Sequence, residues 1–336
     1  MLRYLIVGPS WVGDMVMAQS LFIRLKELHP DACIDVLAPA WSEPLLARMP
    51  QVRRSILMPL GHGQLGLKTR MELGRSLRGQ YDRAIVLPNS WKSALVPAWA
   101  GIPVRTGYRG EFRYGLLNDL RILDKKLLPM TVQRYVALAD QGPIASPPVV
   151  NPPQLQVDHK GIEAALERHG LSRPDKPLLA LCPGAEYGPA KRWPAEHYSA
   201  VARSWLDQGG AVWLFGSAKD KAVTAEITRQ TNGRCIDLAG KTTLGEAIDL
   251  MSLAEMAVSN DSGLMHVAAA VGIGVVAIYG SSDPGFTPPL SERARILSLR
   301  LECSPCFKRE CPLGHLNCLK ELRPSMVIEA MGLTAN

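Results

Sequence analysis

The 336-residue chain carries four stretches whose residue types and spacing suit chemistry. The first is Val7-Gly8-Pro9-Ser10-Trp11-Val12-Gly13-Asp14-Met15, which follows a short apolar run near the start. A Rossmann domain carries its working loop in this place, at the carboxyl end of the first strand. A phosphate-binding P-loop needs Lys and then Ser or Thr after the second glycine, where Asp14 and Met15 stand. A dinucleotide fingerprint needs a third glycine, and a hydrolase elbow needs glycine where Val12 stands. What remains is a carboxylate at a helix start. The helix dipole keeps it ionised, so Asp14 repels phosphate and suits a general base, although the same position also suits a capping aspartate.

The second stretch is Pro183-Gly-Ala-Glu-Tyr-Gly-Pro-Ala-Lys-Arg-Trp-Pro194. Its glycines let a ligand approach the backbone, and Lys191 supplies a point charge for phosphate oxygens; a solvated Lys-Arg turn is the competing reading. A second small-residue turn, Leu214-Phe-Gly216-Ser217, adds Gly216 and Ser217 to Gly184 as candidates for the same ligand. The third stretch, Ser259-Asn-Asp-Ser-Gly-Leu-Met-His266, opens an alanine-rich helix. Free N–H groups at Ser262 and Gly263 suit a pyrophosphate, Asp261 suits a lysine or a sugar hydroxyl, and His266 lies one turn into the helix. The fourth is Cys303-x2-Cys306-x4-Cys311-x6-Cys318, with His315 inside it. A zinc ribbon has two Cys-x2-Cys pairs and this run has one. It reads as reduced thiols in an extended loop, with a structural metal as the alternative.

The elements that must hold these stretches follow from periodicity. Short β-branched runs at Tyr4 to Val7, Ile34 to Leu37, Arg83 to Leu87, Leu178 to Cys182, Ala211 to Phe215, Met256 to Ser259 and Val275 to Tyr279 predict strands. Amphipathic segments such as Met15 to Leu28, Ala195 to Gln208 and Leu244 to Leu253 predict helices between them. Five prolines in the thirteen residues from Gln141 to Pro153 preclude helix and central strand and predict a stiff linker. The expectation is α/β: two Rossmann-like domains facing across a cleft, over 1–150 and 151–320. A closing helix in 321–336, capped by Ser325, is expected to cross back to the first domain.

Composition bounds the function. With 47% apolar and 21% charged residues the chain builds sizeable cores, which excludes disorder and a disulfide miniprotein. Its longest apolar stretch, Val267 to Gly280, is broken by Gly272 and Gly274, and the first seven residues are too short for a signal core. Seven cysteines, an odd number, fit a reducing compartment, so the reading is a cytoplasmic protein with no transmembrane segment. Residues 1–153 hold 19 Lys and Arg against 11 Asp and Glu, a net +8, whereas the remainder holds 19 against 20. Such a field concentrates a polyanionic partner on the first half, or serves solubility. Nucleic acid is disfavoured, because aromatics are 6% and no motif interleaves them with basic residues.

Several runs together resemble the heptosyltransferases of glycosyltransferase family 9. They are Gly8 to Met15, Ala38-Pro-Ala-Trp41, Pro59 to Gly63, Leu87-Pro-Asn-Ser90 with Lys92 to Pro97, Arg105 to Gly110 with Arg113 to Asp119, Cys182 to Pro194 and Asn260 to His266. The resemblance covers nearly the whole chain. It implies the GT-B architecture and transfer of L-glycero-D-manno-heptose from ADP-heptose to the first heptose of the lipopolysaccharide inner core, with inversion. It further implies Asp14 as the base, Lys191 on the donor phosphates, and Asp261, Ser262, Gly263 and His266 in the donor loop, with Ser262 where relatives have threonine. The first domain would take the phosphorylated acceptor at the inner face of the inner membrane, making Lys92, Arg105, Arg109 and Arg113 the candidates for its anionic groups. No cofactor is expected, since no Asp-x-Asp run stands near a strand end and Lys191 with the helix start meets the pyrophosphate charge. A sibling heptosyltransferase for another core position, a nucleotide-sugar epimerase and a noncatalytic glycan-binding protein are the alternatives; an epimerase needs neither acceptor nor a basic first half.

Overall fold

In a computed structural model the chain divides into two compact units, residues 1–153 and 154–336. The structure describes residues 1–61, 63–142 and 144–333. His62 of the Pro59–Gly63 run, Pro143 of the proline-rich stretch and the last three residues of the segment expected as a closing helix lie outside the described residues.

The first unit has strands β1 (Arg3–Val7), β2 (Cys33–Ala38), β3 (Val52–Leu57), β4 (Arg83–Val86), β5 (Val104–Tyr108) and β6 (Asp119–Arg121). Its helices are α1 (Val12–Leu28), α2 (Glu43–Leu46), α3 (Leu67–Ser76), α4 (Leu95–Trp99) and α5 (Thr131–Val136). All pairings are parallel, in the order β3-β2-β1-β4-β5-β6. Leu5, Val7, Ala84 and Val86 are buried in its core because parallel strands are covered on both faces. Gly8 lets α1 start hard against the sheet: a Cβ there would stand 2.7 Å from Met15 Cε. The end of the proline-rich stretch is tied to α1, where Ser20 Oγ donates to Asn151 O at 2.7 Å.

The second unit repeats the plan. Its strands are β7 (Leu178–Cys182), β8 (Ala211–Leu214), β9 (Ile236–Asp237), β10 (Met256–Asn260), β11 (Gly274–Ile278) and β12 (Ala294–Leu297). Its helices are α6 (His159–Arg168), α7 (Ala195–Asp207), α8 (Lys221–Gln230), α9 (Leu244–Met251), α10 (Gly263–Ala270), α11 (Asn317–Lys320) and α12 (Pro324–Ala330). The parallel order β12-β11-β10-β7-β8-β9 is the first unit's order read from the other edge. Helix starts are fixed locally: at α9 Thr243 Oγ1 accepts from Glu246 N at 3.2 Å while the Glu246 carboxylate accepts from Thr243 N at 2.8 Å.

The closing helix forms within the expected segment, with a different cap. Arg323, not Ser325, is the residue before α12, and Pro324 occupies its first turn. Val327, Ile328 and Met331 are buried in the core of the second unit, and α12 packs on α7. Its buried apolar residues therefore belong to the core of its own unit. Among the described residues no helix is long and apolar enough to cross a membrane.

Candidate active site

In a doubly wound sheet, ligands bind outside the carboxyl ends of the strands where the order reverses. That point lies between β1 and β4 in the first unit and between β7 and β10 in the second. The first three stretches singled out from sequence follow β1, β7 and β10, and the Leu87–Ser90 run follows β4, whereas the cysteine run lies after β12.

At the first switch point Asp14 sits in the opening turn of α1 and is partly exposed. The residue before the helix is Trp11, and it makes no side-chain cap bond, so Asp14 is not the N-cap. Helix α5 packs on α1 and brings Tyr135 beside Asp14. Burial, and then the negative charge of Asp14, hold the Tyr135 phenol well above its ordinary range. Tyr135 therefore stays a neutral hydroxyl within the field of the Asp14 carboxylate, a neighbour that no sequence spacing announced.

The four cations expected to meet the acceptor divide into two pairs. Lys92 follows β4 in a 3-10 turn and is partly exposed; Arg109 follows β5 and is exposed. The two loops are joined, since Trp91 N donates to Glu111 Oε2 at 3.0 Å and Glu111 N to Asn89 O at 3.0 Å. Gly110 makes this approach possible, because a Cβ there would lie 2.3 Å from Asn89 O. Arg113 does not belong with the acceptor candidates. It is 1% exposed and its guanidinium donates to Tyr108 O at 3.0 Å, Pro88 O at 2.6 Å and Asn89 Oδ1 at 3.2 Å. Arg105 is corrected likewise: it donates to Leu116 O at 2.7 Å and to Ile102 O at 2.5 Å, bracing the entry to β5. Arg113 is structural because its donors are spent on two backbone carbonyls and Asn89 Oδ1, and Arg105, partly exposed, gives Nε and Nη1 to backbone carbonyls. Arg70 does the same work unannounced, reaching Leu65 O at 2.7 Å and Lys92 O at 3.4 Å.

At the second switch point the groups are wired to one another. Asn260, at the end of β10, accepts at Oδ1 from Trp193 N and from Tyr198 OH, both at 3.0 Å, and donates from Nδ2 to Pro183 O at 2.6 Å. It fastens the loop after β7 to the strand that leads into α10. On that loop a 3-10 turn, Pro189–Lys191, presents Lys191 Nζ to Asp261 Oδ2 at 2.5 Å. Asp261 is 5% exposed, so the lysine compensates a carboxylate that would otherwise be costly to bury. His266 is buried beneath them: burial lowers its pKa to about 4, with Asp261 pulling up and Lys191 pushing down. It is a neutral imidazole at pH 7. Ser262 precedes α10 without a side-chain cap bond, and its Oγ lies 3.2 Å from Ser259 Oγ. The first-turn N–H groups of α10 then have no intrahelical acceptor, which suits an anion.

Gly184, Gly216 and Ser217 cluster around one carboxylate. A Cβ on Gly184 would stand 2.4 Å from Asp220 Cγ and one on Gly216 2.9 Å from Asp220 Cβ, while Ser217 Oγ donates to Asp220 Oδ2 at 2.8 Å. The glycines make room for Asp220, and the serine hydroxyl is engaged with it. Asn260 and Asp220 are thus site builders that the sequence reading passed over, although Asn260 stood inside the quoted run.

Cys303, Cys306, Cys311 and Cys318 are partly exposed free thiols that, with His315, line one small pocket. The backbone N–H of Leu316, with those of Leu313, Gly314 and His315, holds the Cys311 thiol below its usual range. Burial, with the other three thiols, pushes Cys318 up to about 11.

A family model described as glycosyltransferase family 9 (heptosyltransferase) matches residues 70–317. Lipopolysaccharide heptosyltransferase 2 of Escherichia coli is 49% identical over 98% of this chain and 97% of that protein. Lipooligosaccharide heptosyltransferase 2 of Haemophilus influenzae is 49% identical over 98% of each. The solved E. coli ADP-heptose lps heptosyltransferase II matches with a TM-score of 0.86 and 48% identity, covering 99% of this chain and 98% of that one. Two Rossmann-like units with the site motifs at their switch points, and relatives of this identity over the whole length, lead to one conclusion: the chain belongs to glycosyltransferase family 9, the heptosyltransferases.

Proposed function

We propose that this chain transfers L-glycero-D-manno-heptose from ADP-heptose to the first heptose of the lipopolysaccharide inner core, inverting the anomeric centre. The observation that carries the reading is the second unit's edge, where Lys191 meets Asp261 at 2.5 Å beside a neutral His266 and the start of α10. That set matches a nucleotide sugar: a cation and helix N–H groups for the pyrophosphate, and a carboxylate for a sugar hydroxyl once Lys191 turns to phosphate.

In the step itself the acceptor hydroxyl oxygen bonds to the anomeric carbon while the bond from that carbon to ADP breaks. Asp14 takes the hydroxyl proton, and ADP leaves with the bonding electron pair. Lys191 and the α10 N–H groups stabilise the charge gathering on the leaving diphosphate. Neutral His266 adds no positive charge of its own. It keeps the floor of the site dry, which strengthens both interactions. Lys92 and Arg109 receive the acceptor's anionic groups, and work on a lipid-linked acceptor places the enzyme at the inner face of the inner membrane.

Mass spectrometry of reactions with ADP-heptose and defined core acceptors tests the reading. The expected product is one added heptose on an acceptor that already carries one. Transfer only to an acceptor lacking heptose would move the assignment to a sibling enzyme, and donor turnover without acceptor would contradict it.

A further inference from the structure

Residues 298–316, between β12 and α11, form neither helix nor strand. An irregular segment of this length inside a compact unit needs something to order it. Apolar burial anchors only its two ends, where Leu299 and Leu316 pack against the core, while Phe307 and Leu313 between them are exposed. Two hydrogen bonds pin it to the end of β11: Ser304 Oγ donates to Gly280 O at 2.5 Å, and Phe307 N to Ser281 O at 2.7 Å.

The chemistry that remains is sulfur. Cys303, Cys306, Cys311 and Cys318 surround a pocket of about 20 Å³, room for a single ion or water. Ser281 also lines it, and its buried Oγ has no hydrogen-bond partner among the described residues. His315 is committed elsewhere: its Nδ1 accepts from Asn317 N at 3.0 Å, which leaves the ring proton on Nε2. Four sulfurs, and not the imidazole, are the donor set, and a four-thiolate set suits a soft tetrahedral cation.

We propose that Cys303, Cys306, Cys311 and Cys318 bind one divalent cation, zinc by this chemistry, and that the loaded knuckle buttresses the loop carrying Lys191. In the present side-chain positions no three of the described His, Cys, Asp or Glu residues are grouped for metal binding. Loading therefore turns the sulfurs inward to about 2.3 Å from the ion, each thiol giving up its proton. The buttress is built from this same segment. Ala190 N donates to Arg309 O at 3.0 Å and Tyr187 OH to Phe307 O at 2.9 Å. The Tyr187 ring lies 5.2 Å from Lys191 Nζ and 5.4 Å from Arg309 Cζ. A Cβ on Gly188 would meet Arg309 O at 2.5 Å, so loop and knuckle touch at backbone distance. The metal site stands on these residues alone; the buttress of a phosphate-binding lysine rests on the function proposed above.

The test uses the full chain, purified with reductant and without chelator. Elemental analysis should find about one zinc per chain, falling to about a tenth or less in Cys306→Ser and Cys311→Ser and unchanged in Cys33→Ser. Should the serine variants not fold, the wild type still decides: mercurial titration should release the metal as four thiols are blocked, and cobalt(II) should give thiolate charge-transfer absorption. Removing the metal should raise the KM for ADP-heptose by about three- to ten-fold with kcat little changed. Metal-free protein that takes up no cobalt into thiolate ligation would overturn the site, as would zinc retained by both serine variants. Stoichiometric zinc whose removal leaves KM unmoved would overturn the buttress. Stoichiometric zinc in a protein that transfers no heptose would count against the proposed function and not against the site.

Discussion

At the carboxyl edge of the second unit one buried asparagine, Asn260, joins the loop after β7 to the strand feeding α10, and the charged groups beside it pair with each other. At the same edge of the first unit the joining is done by buried arginines, Arg113 and Arg70, whose charge is spent on backbone carbonyls. Strand order is shared, yet the two edges answer different demands. A site for one diphosphate gains from groups fixed in advance, since preorganised charge costs no rearrangement at reaction. An edge proposed for a large acceptor needs its loops held while a few side chains, Asp14, Lys92 and Arg109, stay wholly or partly exposed. The contrast also warns against counting cations, since Arg70 and Arg113 of the first unit are buried as internal wiring.

Breaking the comparison at its most sensitive point means removing the proposed base. Asp14→Asn should lower kcat by about 10²–10⁴-fold in steady-state assays, while the melting temperature stays within a few degrees. A loss below about five-fold would remove Asp14 from the chemistry.

Cutting the second edge's ion pair should show its preorganisation as stability. Lys191→Met strands a buried carboxylate and should cost about 3–5 kcal/mol in denaturant unfolding, less whatever the lysine's partial exposure screens. Adding Asp261→Asn should restore most of that loss, because the uncompensated charge is then gone. A double variant no more stable than Lys191→Met would show that the pair carries no coupling.

The first edge predicts the opposite partition. Arg113→Met leaves the Pro88 and Tyr108 carbonyls without their donor and should cost about 3 kcal/mol of stability, at about 1–3 kcal/mol per orphaned group. Activity per folded molecule should change little, and a selective rise in acceptor KM would return Arg113 to the site. Arg109→Ala, at the end of this series, should leave stability alone and raise acceptor KM by about three- to ten-fold.

Between these lies a pH dependence carried by His266. Its pKa in the folded chain is lowered to about 4, below the ordinary value of 6.5, so the unfolded chain binds more protons in that window. Stability should be fully present above about pH 6.5 and fall as pH drops toward 4, by at most about 3 kcal/mol. His266→Gln should flatten this limb in urea titrations run across the window. An unchanged slope would place the acid sensitivity elsewhere.

Much of this was legible in the residues. Central strands such as β7 and β11 are apolar throughout because both faces are covered, and their runs stood out. Strands nearer the sheet edges did not: β3 carries Arg53 and Arg54, β6 carries Asp119 and Arg121, and neither has a buried run. The loop proposed for the donor was readable because Asn260 to His266 is contiguous in sequence. Arg113 was misread because residue type reveals a charge but not whether carbonyls or solvent will face it. Tyr135 was missed because its meeting with Asp14 depends on α5 folding back on α1, which no local spacing encodes.

Calorimetric titration of ADP into Asp14→Asn and Lys191→Met tests the division of labour between the two units most directly. The account predicts that Asp14→Asn binds ADP as the wild type does, while Lys191→Met binds about ten-fold or more weakly. ADP affinity lost with Asp14→Asn and kept with Lys191→Met would contradict it.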